Sequence, residues 1–162
     1  MGIPMWVFYV NRGQAIASFG VGSKDMPIME FQPANKAYQT VPYTGFRTFI
    51  KVCDAADGFY EPFSASARPA PTRRMFIGPS EIELEESSAS LGLQVNVLYF
   101  TLPGERFAGL VRQVTVRNVS ARPVTLEILD GLPIVIPCGL DDTMLKKISR
   151  TVEAWMAVFN LD

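Results

Sequence analysis

Histidine is absent from the 162 residues. Without an imidazole there is no Ser-His-Asp triad, no Cys-His pair and no HExxH zinc site, so a large share of known catalytic constellations is excluded. Cysteine is almost as scarce. Cys53 and Cys138 are too far apart for a CxxC redox motif and too few for a thiolate metal centre, and they are expected as two buried, unpaired thiols in a reducing compartment. An excess of charge of one sign is lacking too: Lys+Arg 15 against Asp+Glu 16 leaves a formal net charge of −1. With no block of like charges, neither a nucleic-acid footprint nor an anionic-membrane anchor is expected. No apolar run approaches the ~18 residues of a membrane span. The opening apolar stretch has no basic leader and ends at Asn11 and Arg12, unlike a signal peptide. Cytoplasmic residence is the resulting expectation.

What is present is β-sheet patterning over most of the chain. Short segments with two-residue alternation, broken by turn residues about every ten positions, run through the first 139 residues and predict an antiparallel β-sandwich. Residues 5–11 and 15–20, joined by Arg12-Gly13-Gln14, read as an opening hairpin. A loop with Gly22, Pro27 and Pro33 leads to a long strand over 43–52. Residues 64–74 hold Pro69, Pro71 and three arginines without apolar periodicity, and predict an exposed loop with solvated Arg68, Arg73 and Arg74. Ile82 and Leu84 alternate with Glu81, Glu83 and Glu85, placing apolar and acidic residues on opposite faces. Two long strands over 92–102 and 109–118 follow, then a strand over 124–129 read as the next arm of a meander. Asp141 or Asp142 caps a short C-terminal helix over 141–151, with Leu145, Ile148 and Val152 as its apolar stripe. The stretch 152–161 fits both helical spacing and strand alternation, and strand is the reading adopted. The whole chain, 1–162, is expected to be one mainly β domain or a fragment of one.

Paired carboxylates are an enzymatic device still open without histidine. The candidates Asp25, Glu30, Asp54, Asp57, Glu61, Glu105, Asp130, Asp141 and Asp142 include turn formers, helix caps and a hairpin tip, so no residue is assigned a catalytic role. The Glu81, Glu83, Glu85 and Glu86 row lacks the varied ligands and tight turn of a calcium loop, and no metal site is expected. Gly20-Val21-Gly22-Ser23-Lys24 lacks Walker spacing and a following helical pattern, and reads as a bend in a β-rich segment. Aromatics make up 11% of the chain and gather towards the N-terminal side. Tyr38, Tyr43, Phe59 and Tyr60, read as lying in loops or turns, are the candidates for carbohydrate contact, since exposed rings stack on the apolar faces of sugars.

Several dispersed strings carry a family resemblance. They are Asn35-Lys36-Ala37-Tyr38 with Gly45-Phe46-Arg47-Thr48-Phe49, Tyr99-Phe100-Thr101-Leu102-Pro103-Gly104-Glu105, Asp130-Gly131-Leu132-Pro133 and Glu153-Ala154-Trp155-Met156. Over most of its length the chain resembles the N-terminal region of the inverting oligosaccharide phosphorylases of the cellobiose phosphorylase group, glycoside hydrolase family 94. Members similar to β-1,2-oligoglucan phosphorylases and to the phosphorylase-like part of cyclic β-1,2-glucan synthases are nearest. The resemblance implies a β-supersandwich of the galactose-mutarotase-like type preceding a catalytic (α/α) barrel. That barrel carries the acid and the phosphate-binding groups; inorganic phosphate is the co-substrate and no other cofactor is implied. The family's sandwich is longer than this chain, which is therefore expected to be an excised piece.

The expected function is accordingly that of a non-catalytic β-sandwich domain from a carbohydrate-active phosphorylase. It would pack on the barrel and line part of a β-glucan cleft. A free-standing carbohydrate-binding module and a homo-oligomerisation domain are the alternatives.

Overall fold

The structure, a computed structural model, describes residues 2–53, 55, 58–66 and 70–155. Its fold is the mainly β, antiparallel sandwich that the alternation predicts. β1 (Met5–Tyr9), β2 (Ile16–Val21) and β3 (Pro27–Met29) form one sheet in sequential order. Helix α1 (Ala34–Thr44) follows. β4 (Arg47–Val52), β5 (Phe59–Tyr60) and the late strand β10 (Leu126–Gly131) form a second sheet in the order β10-β4-β5. β6 (Thr72–Ile77), β7 (Glu81–Ser88), β8 (Leu93–Thr101) and β9 (Leu110–Asn118) make a four-stranded meander. Helix α2 (Asp142–Trp155) closes the described chain. No helix among the described residues is long and apolar enough to cross a membrane.

One apolar core joins the three sheets. Ile16, Phe19 and Met29 of the first sheet, Ile50 and Val52 of the second, and Leu84, Val95, Val97 and Tyr99 of the third belong to a single buried cluster. β8 shows why these residues form strands. Leu93, Val95, Val97 and Tyr99 are buried while Gln94, Asn96 and Leu98 between them are half-exposed, so each alternate side chain leaves water on one face only. The opening hairpin forms as expected, with Val7 opposite Phe19 and Gly13 at φ +54° in the turn, a conformation that suits glycine. At Gly20 a Cβ would lie 2.3 Å from the Met26 carbonyl oxygen, so the glycine permits close backbone approach where β2 turns into β3.

Five expectations require correction. The loop and the start of the long strand expected around 34–46 are replaced by α1, and β4 begins only at Arg47. Ala37 and Val41, one turn apart, bury themselves against Ala17, Phe8 and Val10, so burial against β2 outweighs the poor helical quality of a segment containing Pro42. β10 does not continue the meander: it pairs with β4, with Leu126 opposite Val52 and Gly131 opposite Arg47. The supposed loop at 64–74 ends early, because Arg73 and Arg74 lie in β6 opposite Glu86 and Glu85; Arg68 lies outside the described residues. Cys53 and Cys138 are free thiols but exposed rather than buried. Finally, α2 runs past 151 to Trp155, so 152–155 are helical, and the remainder of the expected strand lies outside the described residues. Asp141 caps this helix, its carboxylate accepting from the Met144 amide at 2.6 Å.

Candidate functional site

Two turns and the end of α1 converge on a cleft of about 180 Å³. The β1–β2 turn supplies Arg12 and Gln14, α1 supplies Tyr43, β4 supplies Arg47, and the segment after β5 supplies Glu61 and Ser64. Tyr43 is 70% exposed and presents its ring at the rim. Arg47 Nε donates to Glu61 Oε1 at 2.7 Å, and the Arg47 guanidinium lies over Phe49, 4.5 Å from the ring centroid. Phe49 in turn stacks on Phe59, with centroids 6.0 Å apart and planes at 26°. An aromatic track therefore leads from the cleft onto the outer face of the second sheet, where Phe59 and Leu129 stand exposed.

Of the four candidate sugar-contact residues, three reach solvent and one does not. Tyr38 and Tyr43 belong to α1 rather than to loops, and both are exposed. Phe59 lies in β5 at 69% exposed. Tyr60 is the correction: it is only 7% exposed, because the alternation within β5 turns it inward when Phe59 faces out. Its hydroxyl donates to Glu86 Oε1 at 2.6 Å, and burial, reinforced by Glu86, pushes its pKa well above the usual phenol value.

Two buried polar centres behind the cleft went unrecognised in the sequence. Glu86 is fully buried and accepts from Tyr60, from the Phe63 amide at 2.7 Å and from Arg73 Nε at 2.5 Å. The signal was available, since Ile82, Leu84 and Glu86 share one parity and hence one face of β7. The second centre is Arg112 of β9. Its guanidinium donates to Thr48 Oγ1 at 2.9 Å, to Tyr99 Oη at 3.2 Å, to the Gln14 side chain and to Asp130. Thr48 Oγ1 also donates to Asp130 Oδ1 at 2.6 Å. Burial opposes the charge on Arg112, yet hydrogen bonds to Asp130 and Tyr99 outweigh it and hold the guanidinium pKa above its ordinary value. Burial also raises the Tyr99 hydroxyl, which donates to the Gln14 carbonyl at 2.9 Å. Arg112 thus ties the second and third sheets to the β1–β2 turn, and Gln14 carries that tie to the wall of the cleft.

Several of the candidate carboxylates are spoken for individually, while Glu105 stands exposed in the β8–β9 turn. Glu61 is held by Arg47, Asp130 by Arg112, and Asp142 by Lys24 and Lys146. Asp130 lies within β10, past the strand end expected at 129. Asp54 and Asp57 lie outside the described residues. Along the acidic row, Glu83 accepts from Asn96 Nδ2 at 2.5 Å and Glu85 lies 3.6 Å from Arg74. Among the described residues no group of three potential ligands could hold a metal ion. What the cleft offers chemically is a ring face beside fixed hydrogen-bonding groups of both signs.

No protein-family model matches the chain, and neither a curated protein nor a solved structure matches it.

Proposed function

We propose that this chain is a non-catalytic β-sandwich domain of a carbohydrate-active phosphorylase. The parent enzyme would convert a glycoside and inorganic phosphate into a sugar 1-phosphate, with the reaction carried by an (α/α) barrel. The Tyr43 cleft would hold part of a β-glucan chain, and the apolar stripe of Phe49, Phe59 and Leu129 would pack on the barrel. The observation that carries this reading is the Tyr43 cleft itself. It sets an exposed ring beside the Arg47–Glu61 pair, the combination of stacking surface and fixed polar groups by which proteins hold sugars. Phosphorolysis needs an acid free to protonate the leaving oxygen. Glu61, the carboxylate lining this cleft, instead accepts from Arg47.

Calorimetric titration with β-1,2-linked gluco-oligosaccharides, alongside a sugar 1-phosphate release assay, tests the proposal. Saturable binding that falls at least tenfold in Tyr43→Ala, without turnover, is the expected result. Turnover by this chain alone, absence of binding, or binding indifferent to Tyr43→Ala would overturn it.

A further inference from the structure

In the order β10-β4-β5, β10 is an edge strand: one side pairs with β4 and the other meets no strand among the described residues. The Cys53 amide donates to the Thr125 carbonyl, and these two residues are the next step of the register after Val52 and Leu126. Hydrogen-bonded pairs alternate along an antiparallel ladder, so Glu127 and Leu129 turn their backbone groups to β4. Leu126, Ile128 and Asp130 therefore point their N–H and C=O groups outward, where no backbone hydrogen bond among the described residues meets them. The edge is also apolar on both faces. Ile128 faces inward beside the buried Ile50, yet it is 50% exposed, and Leu129 on the outward face is exposed too. Natural edges are guarded by charge, proline or a bulge. Here the acids of β10 are already engaged, Glu127 by Lys51 at 2.9 Å and Asp130 by Arg112 and Thr48. The edges of the four-stranded sheet carry arginines instead, Arg73 and Arg74 on β6 and Arg117 on β9.

We propose that β10 is the docking edge for a second copy of this chain, which adds its own β10 antiparallel about a two-fold axis at Ile128. The strand is complementary to itself in that register. Ile128 pairs with its own copy and Leu126 with the second copy's Asp130, so every outward N–H and C=O of these residues finds a partner. On the outward face Glu127 comes opposite the second copy's Leu129, and no like charges meet across the axis. Pairing at the edge extends the sheet sideways and leaves the face of Phe49 and Phe59 uncovered. The inference therefore goes beyond the glucan and barrel reading and does not depend on it.

The test is sedimentation velocity on the full chain from micromolar to millimolar concentration, with amide exchange read at both ends of the series. Paired strands alone make a small interface, so a monomer that gives way to a dimer as concentration rises is expected. The Leu126, Ile128 and Asp130 amides should gain about tenfold or more in protection with it, while those of Glu127 and Leu129 stay protected throughout. Ile128→Lys sets like charges across the axis and should raise the dissociation constant about tenfold or more. In a Cys53→Ser, Cys138→Ser background, Ile128→Cys should oxidise to a covalent dimer and Leu126→Cys should not, because only position 128 meets its own copy. That pair reads the register independently of Ile128→Lys. A monomer at every concentration, amide protection that ignores concentration, a dimer indifferent to Ile128→Lys, or equal cross-linking at both positions would overturn the proposal. Oligosaccharide binding that needs Tyr43 in a chain that stays monomeric separates this inference from the glucan reading.

Discussion

Arg12 Nη1 donates to the main-chain carbonyl of Tyr38 at 3.1 Å, and the same guanidinium lies 5.2 Å from the centroid of the Tyr38 ring. The reason is four residues further on. Pro42 sits inside α1 and has no N–H to give the Tyr38 carbonyl, so the helix has an orphan acceptor at that position. A residue from the β1–β2 turn fills the gap, and this fixes the end of α1 that carries Tyr43 to the wall of the cleft.

Arg12→Ala should therefore cost about 1 kcal/mol of stability, the net value of a partly exposed hydrogen bond. In a Pro42→Ala background the helix regains its own donor, and the cost of Arg12→Ala should shrink by about half or more. Urea unfolding of the four proteins in this cycle measures the coupling. An Arg12→Ala penalty identical in both backgrounds would show that Arg12 acts elsewhere.

Glu86 makes a larger prediction. Removing its carboxylate leaves Arg73 without its partner and strands the Tyr60 hydroxyl and the Phe63 amide in the interior. Glu86→Ala should destabilise the fold by about 2–5 kcal/mol, the cost of leaving two buried donors unsatisfied, since Arg73 is partly exposed and can turn to water. Glu86→Gln retains an acceptor and should cost less. A thermal melt of Glu86→Ala matching that of the parent chain would refute the assignment of Glu86 as a structural centre.

Asp142 gives α2 a pH dependence. The hydrogen bond from Lys146 and, against the opposing effect of burial, that from Lys24 hold its carboxyl below the ordinary carboxylate range. A carboxyl with a lowered folded-state pKa contributes stability that is present above its unfolded value of about 3.9 and is lost as the pH falls through the folded value. Below about pH 4 the amides of Leu145 and Ile148 should lose exchange protection, corrected for intrinsic rates, while those of Val95 and Val97 keep theirs. Asp142→Asn should reproduce the loss at neutral pH. Uniform protection across α2 and β8 through that range would contradict the ion-pair account.

Much of the sheet structure was readable because its cause is local. The alternation in β7 and β8 reports directly which side chains meet the core, and the Arg12-Gly13-Gln14 turn between two apolar runs defines the opening hairpin. The same local logic narrowed the cap of α2 to Asp141 or Asp142, of which the structure uses Asp141, and picked out the exposed Phe59. It missed α1, whose only buried residues are Ala37 and Val41; a face that narrow becomes helical because β2 and its neighbours cover it. It also misread Arg73 as solvated, since its partner Glu86 lies on a different strand.

By itself, then, the sequence determined the secondary-structure class, the inward faces of the long strands and the lack of imidazole chemistry, all of which follow from residue type and short-range spacing. Tertiary structure alone decided that β10 returns to β4, that Arg112 joins two sheets to the β1–β2 turn, and that Tyr43 stands beside Arg47 and Glu61. Apart from Tyr43 and Arg47, those contacts join residues from 13 to 98 positions apart, and no local pattern encodes a distant partner: only burial of the shared core brings them within hydrogen-bonding reach.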